Sequence, residues 1–435
     1  MIAASTNIRR WCSFRRGTVV LMTSVLTRSA PSTPATATPS TAAPSTATPS
    51  TARHERGFWT VAVAFAVSLA FTVVPTPLWA IYQRHDGYST IDVTLAFAAY
   101  AIGVIVSLFL AGHLSDLWGR RRVLLPAILL EAAAAALFLT STSLGVVVAA
   151  RVLSGLGVGM LTATATAHLS ELHAAARPSA GRARADLVAT VANLGGFAAG
   201  PLLAGLLAQF GPAPLRTSYA VFVVLLLAAA AVVARVPETV TAVGRPRRYR
   251  PQRISARYLA AGGGAFAALS VLGLFTSLAP AFVAGTLHHP SRALAGLVAS
   301  MVFASGAATQ ILLRREPVRR QVAAGVALMA AGLLTVTAGV WAASLPVFLL
   351  GGMVAGGGAG ALLKGAVSTV VDLASPATRG EALAAVFLGG YLGLALPVLG
   401  LGVATQVLPA RLALLGFAIV IVLVTALAGR RLLRR

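Results

Sequence analysis

An all-α integral membrane fold, with twelve spanning helices in two six-helix bundles, is what this sequence predicts, and three observations predict it. The composition is 57% hydrophobic and only 11% charged, with a mean hydropathy of +0.83, far from the quarter-charged make-up of soluble domains. The apolar residues gather into runs of roughly 20 residues, the length that crosses a bilayer as helix and twice that of a barrel strand. The basic residues, 34 arginines and one lysine, fall on alternate loops rather than on one face.

The first expected span, 58–82, follows a tail, residues 1–57, whose repeats of Ala, Pro, Ser and Thr at 29–52 cannot bury a core and are expected to be disordered. Thr18–Leu26 behind Arg15 and Arg16 is too short an apolar stretch to be read as a cleaved signal, and Met22 is an alternative start. Spans follow at 93–114, 123–142, 144–169, 187–208 and 217–236, completing a first bundle over 58–236. The longest internal polar segment comes next, a basic linker at 237–257, with Pro237, Pro246 and Pro251 in or beside it. The second bundle, 258–435, holds spans at 258–285, 293–313, 321–343, 345–370, 382–407 and 410–429, ending in a short basic tail.

The loops fix the expected orientation. Arg120–Arg122, then Arg177, Arg182 and Arg184, then seven arginines from Arg235 to Arg257, then Arg314, Arg315, Arg319 and Arg320, then Arg379 occupy one set of connections. The other set carries only Arg84, Arg216, Arg292 and Arg411. The positive-inside rule therefore places both termini in the cytoplasm of a multi-pass protein of the cell membrane. The net charge of +24 is read as topology, helped by anionic lipid, and not as a nucleic-acid surface. The lone cysteine, Cys12, excludes an intramolecular disulfide and a cysteine-built metal site. The seven histidines show no zinc spacing. No cofactor is expected.

Internal duplication is legible at a spacing near 195–200 residues. Gly195-Gly196-Phe197 echoes Gly389-Gly390-Tyr391, and the glycines at 155, 157 and 159 echo those at 356, 357, 358 and 360. Membrane carriers built from repeats place their substrate between the halves, near the midplane.

Four motifs carry the chemistry. Gly112-His113-Leu114-Ser115-Asp116-Leu117-Trp118-Gly119-Arg120-Arg121-Arg122 fills a connection too short for a domain, and Asp116 and Arg120 share a helical face. Arg151, inside the fourth span, is followed by Gly155, Gly157 and Gly159; an intramembrane arginine is costly unless it faces a partner or a polar cavity, with snorkelling the alternative. The fifth span reads Gly196-Phe197-Ala198-Ala199-Gly200-Pro201-Leu202-Leu203-Ala204-Gly205, where Pro201 removes a helix hydrogen bond and small residues admit a neighbour. Glu131, the acid in the middle of a span, is a candidate proton carrier or a structural pair. Lys364 is a candidate for an anionic substrate or snorkels to headgroups. Trp79, Tyr82, Tyr100, Asn193, Thr276 and Gln310 are candidate cavity groups.

The first three of these motifs resemble signatures of the major facilitator superfamily. The match departs at Leu117, where the family usually has arginine, and at Ala204, where it has glycine. The resemblance implies alternating access by two bundles, with spans 1, 4, 7 and 10 lining a cavity. It gives Gly112, Asp116, Gly119 and Arg120 a gating role, with the partner of Asp116 near Gly380. It ties Arg151 to proton coupling, and it makes Gly200, Pro201 and Gly205 a hinge or proton seal characteristic of antiporters. Val236-Pro237-Glu238-Thr239 resembles a segment found in sugar-transporting members. The expectation is a secondary carrier, working as a monomer on a proton gradient and exporting drug-like or amphipathic compounds; the alternatives are uptake of a small metabolite such as a sugar or organic anion by symport or facilitation and, remotely, a membrane enzyme. No ATP-binding loop of the Gly-x-x-x-x-Gly-Lys-Ser/Thr form is present.

Overall fold

In hydrocarbon a backbone amide finds no partner but the backbone itself, so each apolar run closes its hydrogen bonds internally as helix. A computed structural model describes residues 49–111, 114–240, 256–375 and 379–434. Among these residues, twelve helices are long and apolar enough to cross a membrane. They are α1 (Pro49–Thr72), α2 (Thr90–Ala111), α3 (Arg120–Thr140), α4 (Leu144–Ala176), α5 (Ala183–Phe210), α6 (Pro214–Val233), α7 (Ala256–Ser277), α8 (Arg292–Leu312), α9 (Val318–Trp341), α10 (Leu345–Leu373), α11 (Arg379–Val407) and α12 (Ala410–Leu433). No strand occurs among the described residues. Cys12 and most of the tail, the basic linker at 241–255, and Gly112 with His113 lie outside them.

The helix order matches the run lengths, and the differences have local causes. α1 continues beyond Thr72 through a 3-10 turn at Thr76–Leu78 into a short helix, Trp79–His85, because Pro75 and Pro77 interrupt the regular ladder. α4 outruns its apolar stretch by seven residues, Ser170 to Ala176, and these carry Glu171 and His173 to the arginine-rich end. Pro126, Pro201 and Pro397 sit inside α3, α5 and α11, where packed neighbours tolerate them.

Packing repeats with a period of six helices. In the first half α1 packs on α4, α5 and α6, α2 on α4, and α3 on α4 and α6. In the second half α7 packs on α10, α11 and α12, α8 on α10, and α9 on α10 and α12. The halves meet mainly through α5 with α8 and α11 with α2, and a six-helix shift turns each of these pairs into the other. Such an arrangement is a pseudo-two-fold, with two alike bundles apposed across an axis.

Small residues set the helix spacing in equivalent places. A Cβ on Gly155 of α4 would lie 2.2 Å from the Tyr100 carbonyl oxygen of α2, and one on Gly360 of α10 would lie 2.3 Å from the Gly306 oxygen of α8. Only glycine lets these backbones touch. Gly155→Val is therefore expected to cost about 1–3 kcal/mol of stability through overpacking. Gly416→Val, where a side chain meets open space, is expected to be silent. Thermal unfolding of the two purified variants, read against the parent, checks the contrast.

Candidate functional site

Three polar constellations stand out, one at the arginine-rich end of the bundle, one buried in the first half and one at the opposite end.

At the arginine-rich end, a short helix, Leu114–Trp118, leads through Gly119 into α3. Gly119 has φ of 102°, a conformation that disfavours any side chain, and a Cβ there would lie 2.6 Å from Glu238 Oε2. Glu238 follows α6 and returns to the start of α3, where its carboxylate accepts from the Arg120 N–H at 2.8 Å and the Arg121 N–H at 3.0 Å. An anion at a helix N-terminus satisfies orphan donors and the helix dipole together. Burial works to raise the Glu238 carboxyl, but the backbone donors of Arg120, Val240, Thr239 and Arg121 outweigh it and hold the group below the usual carboxylate range.

Arg120 is the hub. Its Nη1 pairs with Asp116 and donates to Ser115 Oγ at 2.7 Å, while its Nε and Nη2 make a fork onto Glu171 of α4 at 3.1 and 2.8 Å. Thr239 Oγ1 donates to the other oxygen of Glu171, so the segment after α6 is tied to α3 and α4 at once. Asp116 remains 65% exposed on the free side of the cluster. Gly380, at the start of α11, has open space beside it. Among the described residues Asp116 pairs with Arg120 within its own half.

The second constellation lies within the membrane. Arg151 of α4 is 3% exposed; its Nη1 donates to the Thr72 carbonyl at 2.7 Å, an acceptor freed by the break at the end of α1. Its guanidinium lies 4.5 Å from the centre of the Tyr100 ring and 5.6 Å from that of Phe97, both on α2, a cation–π arrangement strengthened by burial. One turn along the same face, Ser154 donates to Glu131 Oε2 at 3.0 Å. Glu131 of α3 is fully buried. Glu131 Oε1 and Arg151 Nε have no hydrogen-bond partner among the described residues. The structure brings Arg151, Glu131 and Tyr100 together.

The third constellation closes the opposite end. Gly205 of α5 and Gly296 of α8 pack backbone to backbone, and Pro201 presents its carbonyl to Gly296. Arg292, first residue of α8, gives its N–H to Gln209 Oε1 at 3.0 Å and its Nη1 to the Ala208 carbonyl at 2.8 Å, capping the end of α5. Phe197 and Phe303 stack at 5.2 Å deeper along the same seam. Across the pseudo-two-fold, Gly402 of α11 packs on Thr94 of α2. Pro201 and Gly205 therefore sit on the seam between the halves, whereas Gly200 packs on Ala70 of α1 within the first half.

The remaining candidates separate. Trp79 and Tyr82 belong to the buried core of the first half, where Tyr82 bonds the Tyr219 hydroxyl at 3.2 Å. Thr276 is buried and spends its hydroxyl on the Leu272 and Gly273 carbonyls of α7. Asn193 and Gln310 are half-buried, one turn and about two turns from the Phe197–Phe303 stack toward the arginine-rich end. Lys364 is also half-buried, two turns along α10 from Gly357, which meets Thr309 of α8 and Leu328 of α9. Glu171, whose partner Arg120 lies 51 residues away, carries no local signal, and Glu238, though part of the Val236–Thr239 segment singled out in the sequence, gives no sign of its partner 118 residues away.

Comparison with known proteins gives consistent findings. The Major Facilitator Superfamily model matches residues 60–317, more than half of the chain. The arabinose-proton symporter of Bacillus subtilis (strain 168) is 34% identical over 77 residues, which span 18% of this chain and 17% of that protein. Among solved structures, the human organic anion transporter MFSD10 (TETRAN) superposes with a TM-score of 0.64 at 19% identity, over 86% of this chain and 99% of that one. The nucleoside transporter NupG, as a mutant, superposes with a TM-score of 0.67 at 12% identity, over 87% of this chain and 100% of that one. A bacterial homolog of the human lysosomal transporter Spinster, inward-facing and unoccupied, gives 0.64 at 12% identity, over 87% and 97%. At these identities the structural likenesses establish the fold.

Glu238→Gln is expected to lower stability by about 1 kcal/mol at neutral pH, the worth of an anionic helix cap. Because the folded carboxyl is held below its ordinary value of 4.5, that contribution is complete above the ordinary value and disappears as pH falls through the folded one. Unfolding of parent and variant in detergent at pH 7 and pH 3.5 should show the difference shrinking on acidification.

Proposed function

The chain belongs to the major facilitator superfamily, and on that premise we propose that it is a proton-coupled secondary transporter of small organic molecules working by alternating access. The pseudo-two-fold packing supports the mechanism: two alike bundles joined by two equivalent helix pairs can rock about their shared axis, exposing a central site to each side in turn. With the arginine-rich end read as cytoplasmic, the Arg292 clasp and the Gly205–Gly296 contact hold α5 and α8 together at the outer end, which supports reading this state as closed to the outside. Asp116 would engage the second half only in the opposite state, when the inner ends approach.

The observation that carries proton coupling is the buried Glu131–Ser154–Arg151 pocket with its two unpartnered atoms. A carboxyl enclosed in low dielectric exchanges its proton only with a change of surroundings. Arg151, bonded to the end of α1 and stacked on α2, links that exchange to two helices that shift when the bundles rock. Export of amphipathic compounds is the first reading, supported by the antiporter-like residues Gly200, Pro201 and Gly205 and by an aromatic seam flanked by the amides of Asn193 and Gln310. Uptake of a sugar-like solute by proton symport is the second, supported by the stretch similar to an arabinose-proton symporter and by the ties of Glu238 to the Arg120 N–H and of Thr239 to Glu171, the acid that Arg120 holds.

Reconstitution into liposomes with an imposed pH gradient, challenged with fluorescent cations, organic anions and arabinose, separates the readings. Proton movement opposite to the solute supports export by antiport, movement with arabinose supports symport, and proton movement driven by no solute contradicts both. Asp116→Asn is expected to abolish transport while the protein still inserts, and a fully active variant would remove the gating role. Glu131→Gln is expected to uncouple solute movement from pH; unchanged proton flux would clear Glu131 of that task.

A further inference from the structure

We infer that the foot of the seam between α1 and α6 binds the headgroup of an anionic phospholipid. A cavity of about 550 Å³ opens there, lined by Arg53, Arg56, Gly57 and Thr60 of α1 and by Val232, Arg235, Val236 and Pro237 at the end of α6. Its chemistry divides in two. The three guanidiniums stand at the mouth, all exposed, whereas the floor is glycine, valine and proline. Gly57 is what brings the walls together: a Cβ there would lie 3.1 Å from Val236 Cγ1 and 3.2 Å from Pro237 Cδ.

Charge complementarity selects the occupant. At this end of the first half Arg120 is held by Asp116 and Glu171, Arg177 and Arg184 by Glu55, and Arg121 by the Ala234 and Val236 carbonyls, while Arg122 and Arg182 line no part of the cavity. Arg53, Arg56 and Arg235 have no ion pair among the described residues. The neighbouring acid, Glu238, is committed to the N–H groups of Arg120 and Arg121. Three cations without an ion pair among the described residues thus line one cavity, two from α1 and one just beyond the end of α6. Above them, Val221, Leu225 and Val232 are exposed on one face of α6, an apolar track leading out of the cavity that suits an acyl chain. A soluble anion would use the arginines and leave the track bare; a phospholipid uses both.

The site also touches the first cluster. Val236 and Pro237 form its floor, and their carbonyls accept from Arg121 Nη1 at 3.3 Å and lie 3.2 Å from His168 Nε2. A bound lipid would brace the segment that delivers Glu238 to α3.

Native mass spectrometry of the delipidated full-length protein, titrated with phosphatidylglycerol or phosphatidylcholine, tests the assignment. Surface arginines are worth roughly fivefold each toward anionic lipid, so the Arg53→Gln, Arg56→Gln, Arg235→Gln triple should weaken the tightest phosphatidylglycerol adduct on the order of 100-fold. The matching lysine triple should retain it, which guards against misfolding. A control triple at the second half, Arg314→Gln, Arg315→Gln and Arg319→Gln, should leave it intact. Equal loss in the control, no loss in the glutamine triple, equal binding of phosphatidylcholine, or displacement by millimolar inorganic phosphate would each overturn the proposal.

Discussion

Hydrocarbon supplies no partner for a polar group, and almost everything in this molecule follows from that constraint. It makes the spans helical, so that the remaining freedom lies in how closely helices pack. It sends the arginines to the ends, and it requires that any polar side chain left inside be held by protein. Arg151 meets the requirement with the Thr72 carbonyl, a Tyr100 ring and the field of Glu131. Glu131 meets it with Ser154 on one oxygen alone. Ionisable groups kept so deep are costly, and that cost is what supports proposing a functional role for them.

The two ends of the bundle solve different problems. At the end opposite the arginines, glycines and one arginine draw α5 and α8 together with few polar contacts, a joint whose energy is largely close packing. At the arginine-rich end, Arg120, Glu171, Glu238 and Thr239 knit α3, α4 and the segment after α6 into one body within the first half. This arrangement ties the inner ends of three elements together and leaves Asp116 largely exposed.

Much of this was legible in the sequence because it is local or repeated. Run length gave the twelve spans. The echo of Gly195-Gly196 in Gly389-Gly390 falls on matching contacts at its second position, since Gly196 packs on Ala66 and Leu69 of α1 and Gly390 on Ala265 and Leu269 of α7. Arg151 and Glu131 were readable as costly residues, but not as neighbours, because α3 and α4 meet only through the fold. Glu238 was invisible as a cap for the same reason: it crowns a helix that begins 118 residues before it. Tyr82 and Trp79 show the limit of reading aromatics as cavity lining, for their spacing beside Pro75 and Pro77 serves a core. The face that Lys364 occupies depends on which glycines of α10 touch α8 and α9, information that periodicity alone does not hold.

The central claim is that the two halves move as bodies and open at one end as they close at the other. Paired spin labels in a Cys12→Ser background measure it most directly, one pair at Phe210 and Val407 across the end opposite the arginines and one at Ala183 and Leu312 across the arginine-rich end, all exposed positions. Under an imposed pH gradient the account predicts that one distance distribution lengthens as the other shortens. Distances that change together, or that stay fixed while solute is transported, would contradict it.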